Sequence, residues 1–307
     1  EQMADEDGTP SVGLPDLRQG GVGVFCATIF CEPAARPGDK GYRSAEQAHA
    51  EAVRQLHWYQ QLEQAGHLRL VRRSSDLLHV SEHSTPAVLL LMEGADPLRS
   101  PSEVASWFER GLRLVGLAWK RTRYAGGTGA PGPLSAEGER LVRELDACHM
   151  IHDVSHLAEQ SFWQLLDLSD GPIIASHSNC RTIIPTDRQL SDEMIRALVA
   201  RDAVIGINFY DRFLIPPSEY GRRRATLADV VRQVQHICQV VGNAHHVGLG
   251  TDMDGGFGQE HIPLEISSAA DLPKLASALE AAGFASDDVS NIMGGNWMHF
   301  FGKALPA

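Results

Sequence analysis

Val247-Gly248-Leu249-Gly250-Thr251-Asp252-Met253-Asp254-Gly255 is a short apolar run that passes directly into two carboxylates and a glycine. The same pattern recurs along the chain. Leu89-Leu90-Leu91-Met92 leads into Glu93-Gly94, Met150-Ile151-His152-Asp153-Val154-Ser155 into His156, and Ile173-Ile174-Ala175-Ser176 into His177. Apolar runs of this length without polar alternation are what parallel strands buried on both faces require. The residue that follows each run is metal-capable or acid–base active.

Seven such runs are countable: Gly21–Phe30, Ala87–Met92, Leu112–Trp119, Cys148–Val154, Pro172–Ser176, Ala203–Phe209 and Val247–Thr251. Between them, apolar residues at three- and four-residue spacing predict helices over Ser44–Ala65, Ser102–Arg110, Ala136–Ala147, Ala158–Leu166, Ser191–Arg201 and Leu227–Val241. Ser191 is a capping residue, with Asp192 and Glu193 in the first turn behind it. The Gly- and Pro-rich stretch Ala125–Pro133 forbids regular structure. Strand–helix alternation implies an α/β fold with a parallel sheet, either an open doubly wound sheet or a closed barrel. We expect a (β/α)8 TIM-like barrel forming one domain over residues 1–307, with its first strand missing from the chain.

The 27 Lys and Arg against 39 Asp and Glu give a diffuse net charge of −12, which argues against nucleic acid as a partner. No apolar stretch approaches the roughly 20 residues that span a bilayer, and the acidic Glu1–Pro10 is unlike an export signal. Cys26, Cys31, Cys148, Cys180 and Cys238 follow no metal-binding spacing, which suits reduced thiols in a cytoplasmic protein.

In a barrel the carboxyl ends of the strands share one mouth, so Glu93, His156, His177 and Asp252 are expected to meet there. A lone histidine after a strand is usually structural. Four such residues at one topological position instead suggest a site for Zn²⁺, Mn²⁺ or Co²⁺ with room for water. His79, His83, His149, His152, His245, His246 and His261 lack the pattern and are read as structural or surface residues.

At these residues the chain resembles the renal (membrane) dipeptidase family of zinc metallopeptidases. The resemblance runs from about Leu14 to Leu305. It rests on Asp153-Val154-Ser155-His156, on Ala175-Ser176-His177-Ser178-Asn179 followed by Arg188, on Val247–Gly255 and on Gly294-Gly295-Asn296-Trp297. Leu14–Gly23 is also similar to the stretch that leads into the family's second strand. The resemblance implies a two-zinc centre in which Glu93 bridges both ions and His156 and His177 bind the second. It further implies that Arg188 clamps the substrate's terminal carboxylate and that Asp252 is the acid–base carboxylate.

Two departures stand out. The family's His-x-Asp pair on the first strand, which supplies the first zinc, occurs nowhere in this sequence. One missing N-terminal strand accounts for both the strand count and the missing ligands, and loss of a leading segment is the favoured cause. In addition, a substrate-contacting histidine of the renal members is replaced by Trp119. The expected activity is hydrolysis of small dipeptides by metal-bound hydroxide. The alternatives are a related amidohydrolase acting on another small amide or lactone, and a non-catalytic barrel lacking the first metal site. The expected partner is a small-molecule substrate, with neither nucleic acid nor membrane. Oligomeric state is left open, a homo-oligomer included.

Overall fold

A computed structural model of the chain describes residues 8–34, 36, 38, 40–78, 80 and 85–307. The strands in chain order are β1 (Val24–Phe30), β2 (Arg69–Leu70), β3 (Ala87–Glu93), β4 (Leu112–Gly116), β5 (Ile151–Asp153), β6 (Ile173–Ile174), β7 (Ile205–Ile207) and β8 (Val247–Leu249). The principal helices are α1 (Leu14–Gln19), α2 (Ala45–Gln64), α3 (Val104–Glu109), α4 (Ala136–Ala147), α5 (Glu159–Leu168), α6 (Asp192–Val199), α7 (Asp211–Leu214), α8 (Leu227–Val241), α9 (Pro273–Ala281), α10 (Ser286–Ser290) and α11 (Asn296–Ala304). This is a mixed α/β fold built on parallel pairing. No helix among the described residues is long and apolar enough to cross a membrane.

The chain divides into two compact units. One gathers Val24–Val80, Thr85–Ile174 and Gly302–Ala307. Its sheet runs β1-β3-β4-β5-β6, every pair parallel, with β2 also on β3. β1 pairs with β3 along all of Ala87–Glu93, so β2, opposite Ala87 and Val88, and β4, opposite Leu90 to Glu93, divide the other edge of β3 between them. Ala87 to Met92 are all buried, as expected of a strand covered on both faces. Helix α2 begins where Ser44 accepts a hydrogen bond from the Gln47 amide, and α4 begins at Ser135 in the same way.

The other unit gathers Ala175–Phe301 with the N-terminal residues up to Gly23. It holds the parallel pair β7–β8 and the bridge Ala175–Ile205. Gly206 and Gly250 are required here, because a Cβ on either would strike the Ser176 carbonyl oxygen. Ser191 caps α6 through the Met194 amide, and a Thr226–Asp229 capping box opens α8.

All seven expected runs contain a strand; six are shorter than expected, and β3 runs one residue further, to Glu93. Gly21 has φ 69° and the Val22 amide closes back on the Leu17 carbonyl, so β1 starts only at Val24. Cys148 is the C-cap of α4 and His149 has φ 53°, which delays β5 to Ile151. The eighth strand, β2, has two residues and follows α2 directly. The helix expected over Ser102–Arg110 opens with a 3₁₀ turn, Pro101–Glu103, before α3, and the one expected over Ala158–Leu166 is α5, with Ala158 as its N-cap. Among the described residues none before β1 belongs to a strand. His79 and His83 lie outside the described residues.

Candidate metal centre

Glu93 is the last residue of β3, and His156 follows β5 after Val154 and Ser155. Their facing atoms, Glu93 Oε1 and His156 Nε2, are 3.1 Å apart and both side chains are largely buried. Two ligands on one tetrahedral zinc ion at ordinary bond lengths stand roughly 3.1–3.5 Å apart, so this pair fits a shared divalent cation without rearrangement. The imidazole is steered from its other side, where Thr128 Oγ1 lies 3.0 Å from Nδ1. Such an outer partner fixes which nitrogen faces a ligand. The His156 backbone sits at φ 67°, an uncommon conformation for a residue with a Cβ and one that turns its side chain out of the strand direction.

Trp119 lies beyond β4, with its ring 6.3 Å from that of His156 and packed edge-on against Phe30 at 5.1 Å. The Lys120 ammonium sits over its outer face. Trp119 therefore forms a wall beside the Glu93–His156 pair. On β1, burial first and then the nearby Asp153 carboxylate push the Cys26 thiol up to about 12, so it is neutral at physiological pH.

In the unit that contains β7 and β8, His177 follows Ser176, whose hydroxyl lies 2.7 Å from His177 Nδ1. Arg188 is buried, its guanidinium donating to the His177 carbonyl at 2.6 Å and to Ser178 Oγ at 3.0 Å while stacking over Phe213. A surface arginine paired with Asp187 or Asp192 would not be placed this way, and Asp192 is engaged instead with His236 at 2.8 Å. Asp252 has φ 57° and accepts a hydrogen bond from Asn208 Nδ2 at 2.9 Å. A Cβ on Gly255 would collide with the Asp252 carboxylate, which explains the glycine there. Asp254, only two residues on, is occupied differently: it accepts from the Ser11 amide at 2.8 Å, Ser11 Oγ at 2.7 Å and the Val12 amide at 2.9 Å.

Over residues 2–305 the sequence matches the family described as Membrane dipeptidase (Peptidase family M19). The chain belongs to this family. An uncharacterized protein in the pqqA 5′ region of Klebsiella pneumoniae is 31% identical over 246 residues, covering 76% of this chain and 88% of that protein. The solved dipeptidase AC, a metallo peptidase, is 27% identical with a TM-score of 0.86 over 99% of this chain and 92% of its own. A metallo peptidase from Rhodobacter sphaeroides, solved with a phosphinate mimic of the dipeptide L-Ala-D-Ala, is 27% identical with a TM-score of 0.84, over 98% of this chain and 92% of its own. The chain spans from 48% to 88% of the first curated relatives it matches. As a member of the family it is a hydrolase of the metallo-dipeptidase type.

For an M19 chain, the metal-capable pair within one unit is Glu93 and His156, a carboxylate and an imidazole facing one another. This donor set suits a divalent transition metal. Two residues that no motif marks touch expected site residues, Thr128 at His156 and Asn208 at Asp252. Asn208 is the one polar residue within the apolar run Ala203–Phe209, a position that could have flagged it. Thr128 sits in the Gly-rich stretch, where nothing in the spacing of residues announces it. Of the histidines read as structural or surface residues, His152 is engaged with Asp146 at 2.7 Å, His246 with the Ala203 carbonyl at 3.0 Å and His261 with Asp211 at 3.1 Å.

Proposed function

We propose that the protein is a zinc-dependent dipeptidase in which Glu93, His156 and His177 hold the metal, Arg188 binds the substrate's terminal carboxylate and Asp252 carries the proton. The observation that carries this reading is the 3.1 Å approach of Glu93 Oε1, at the end of β3, to His156 Nε2, just beyond β5 of the same sheet. Bound zinc supplies Lewis acidity that polarises a carbonyl and acidifies water. Around it the chain's own groups divide the remaining work. Asp252 takes a proton at its carboxylate and returns it to the departing amine. Arg188 offers a planar fork to a carboxylate, which limits the substrate's length. Trp119 closes one side against water and bulky groups. Its place beside His156 also supports a second reading, hydrolysis of another small amide or lactone.

We read residues 1–307 as one catalytic domain of the (β/α)8 barrel type, a reading supported by the likeness to the two M19 structures. The free thiols are in keeping with a cytoplasmic setting. The experiment is direct. The full chain, supplied with Zn²⁺, Mn²⁺ or Co²⁺, is assayed against L-Ala-D-Ala and a panel of L,L-dipeptides, with bound metal measured in parallel. Metal uptake with dipeptide turnover is expected. No turnover with any metal refutes the catalytic reading, and turnover restricted to lactones or non-peptide amides favours the second.

A further inference from the structure

Two fully buried asparagines lie between the segment that carries His177 and the loop that carries Asp252. Asn179 follows His177 by two residues, and Asn208 follows β7; both are 0% exposed. Their amide orientations are fixed by their partners. The Asn208 amide nitrogen donates to Asn179 Oδ1 at 2.9 Å, while Asn179 Nδ2 donates to the Asn208 carbonyl at 3.0 Å and the Phe213 carbonyl at 2.9 Å. The backbone of Asn208 is thus held on both of its polar groups by one side chain. Asn208 Oδ1 then accepts from the Tyr210 amide at 2.7 Å, which leaves Nδ2 facing Asp252 Oδ2 at 2.9 Å. An amide flip would set two N–H groups against each other at Tyr210, so the donor toward Asp252 is unambiguous.

We infer that Asn208 is a positioning residue for the reaction: its buried amide, locked by Asn179, holds one oxygen of Asp252 so that the carboxylate keeps a single orientation for proton transfer. This rests on the reading of Asp252 given above. The physical case is that Asp252 sits on a left-handed residue beyond the end of β8, at the start of a turn rather than in the strand itself. A carboxylate there needs an external clamp to stay within the about 3 Å that proton transfer demands. The clamp comes from the residue that follows β7, and the Asn179 lock ties it to the segment bearing His177. A merely structural asparagine would need its backbone bonds to Asn179 but not a side-chain bond to a carboxylate.

The test is a double-mutant cycle in the full, metal-loaded chain with a dipeptide substrate. Asn208→Ala is expected to lower kcat roughly 10- to 100-fold, the range for one hydrogen bond to a charged group, with KM and metal content little changed. In an Asp252→Asn background the same change is expected to cost less than about twofold, because residues that act through one another are not additive. Asn208→Asp, which keeps the acceptor for Tyr210 but sets an oxygen against Asp252, guards against misfolding of the alanine variant and should lose at least as much kcat. Equal losses from Asn208→Ala in both backgrounds, or full activity in Asn208→Asp, would overturn the inference while leaving the role of Asp252 intact. Wild-type kcat in Asp252→Asn alone would instead remove the role of Asp252, and the inference with it.

Discussion

Asp254→Ala should cost stability and leave the chemistry largely in place, although Asp254 is only two residues from Asp252. Its carboxylate is the single acceptor for three donors, the Ser11 amide, the Ser11 hydroxyl and the Val12 amide, at 2.7–2.9 Å. Hydrogen bonds to a charged group contribute about 1.5–3 kcal/mol each, but they do not add when they share one acceptor. Val12 is 37% exposed, so its amide regains water when the carboxylate is lost; Ser11 is 1% exposed and its two groups do not, unless the segment peels away. Peeling would also break the bonds of the Gln259 amide to the Thr9 carbonyl and of the Ala269 amide to the Ser11 carbonyl, as well as those of Thr9 to Glu260. These bounds give a loss of about 2–4 kcal/mol, or a Tm lowered by roughly 5–10 °C. Asp254→Asn keeps one acceptor oxygen and should lose about half as much. Thermal unfolding and hydrogen exchange at Ser11 and Val12 read the stability, and kcat at saturating dipeptide reads the chemistry. A hundredfold fall in kcat with unchanged Tm, exchange and metal content would show that Asp254, and not Asp252, handles the proton.

Three further outcomes are expected. Asp252→Asn should lower kcat by roughly 10²–10⁴-fold with metal content retained, as measured by steady-state kinetics beside metal analysis. Thr128→Val removes the partner of His156 Nδ1 and should weaken metal binding about 10- to 100-fold in a chelator competition; unchanged affinity would make that contact incidental. Cys31 is buried, and burial first, then the Glu51 carboxylate, raises its thiol from 9.0 to about 12. The folded state therefore keeps this proton at pH values where the unfolded chain releases it. The contribution is full below pH 9 and is lost as pH rises toward 12, so Cys31→Ser should flatten the alkaline fall in stability seen by denaturant unfolding.

What could be read from the sequence follows the reach of local rules. Helices α4 and α8 have the bounds their periodicity gives, Ala136–Ala147 and Leu227–Val241, because a serine or threonine cap fixes the first turn and the apolar spacing carries the rest. β3 is equally plain, since six buried residues, Ala87 to Met92, leave an unbroken apolar run. β2 has no such signature. Arg69 and Leu70 are a strand only because β3 offers them an edge opposite Ala87 and Val88, a fact of tertiary pairing that two residues cannot encode alone. The short helices after β8 fall outside the strand–helix rhythm for the same reason. Arg188 shows a limit of another kind: only the family resemblance singled it out, since nothing in Asp187-Arg188-Gln189 itself says that the His177 carbonyl and Ser178 hydroxyl draw it into the interior.

The site itself was legible as a set of strand ends but not as a geometry, and the backbone shows why. Five described residues other than glycine have positive φ: His149, His156, Asp202, Asp252 and Asp254. His149 and Asp202 come just after α4 and α6 and before the next strand, where a left-handed residue ends a helix in the ordinary way. The other three follow strands, where no helix end asks for that conformation, and each bears a side chain engaged by a specific partner: Thr128 for His156, Asn208 for Asp252, Ser11 for Asp254. A left-handed residue with a Cβ costs on the order of 1–2 kcal/mol, so it persists only where neighbouring bonds over-determine it. The partners come from a Gly-rich loop, from the residue after β7 and from the N-terminal segment, all distant in sequence. Histidine and aspartate can be seen at these positions in the bare chain; that the backbone turns left-handed there follows only from contacts the fold creates. Removing one of those partners should therefore change where the His156 or Asp252 side chain points before it changes whether the chain folds.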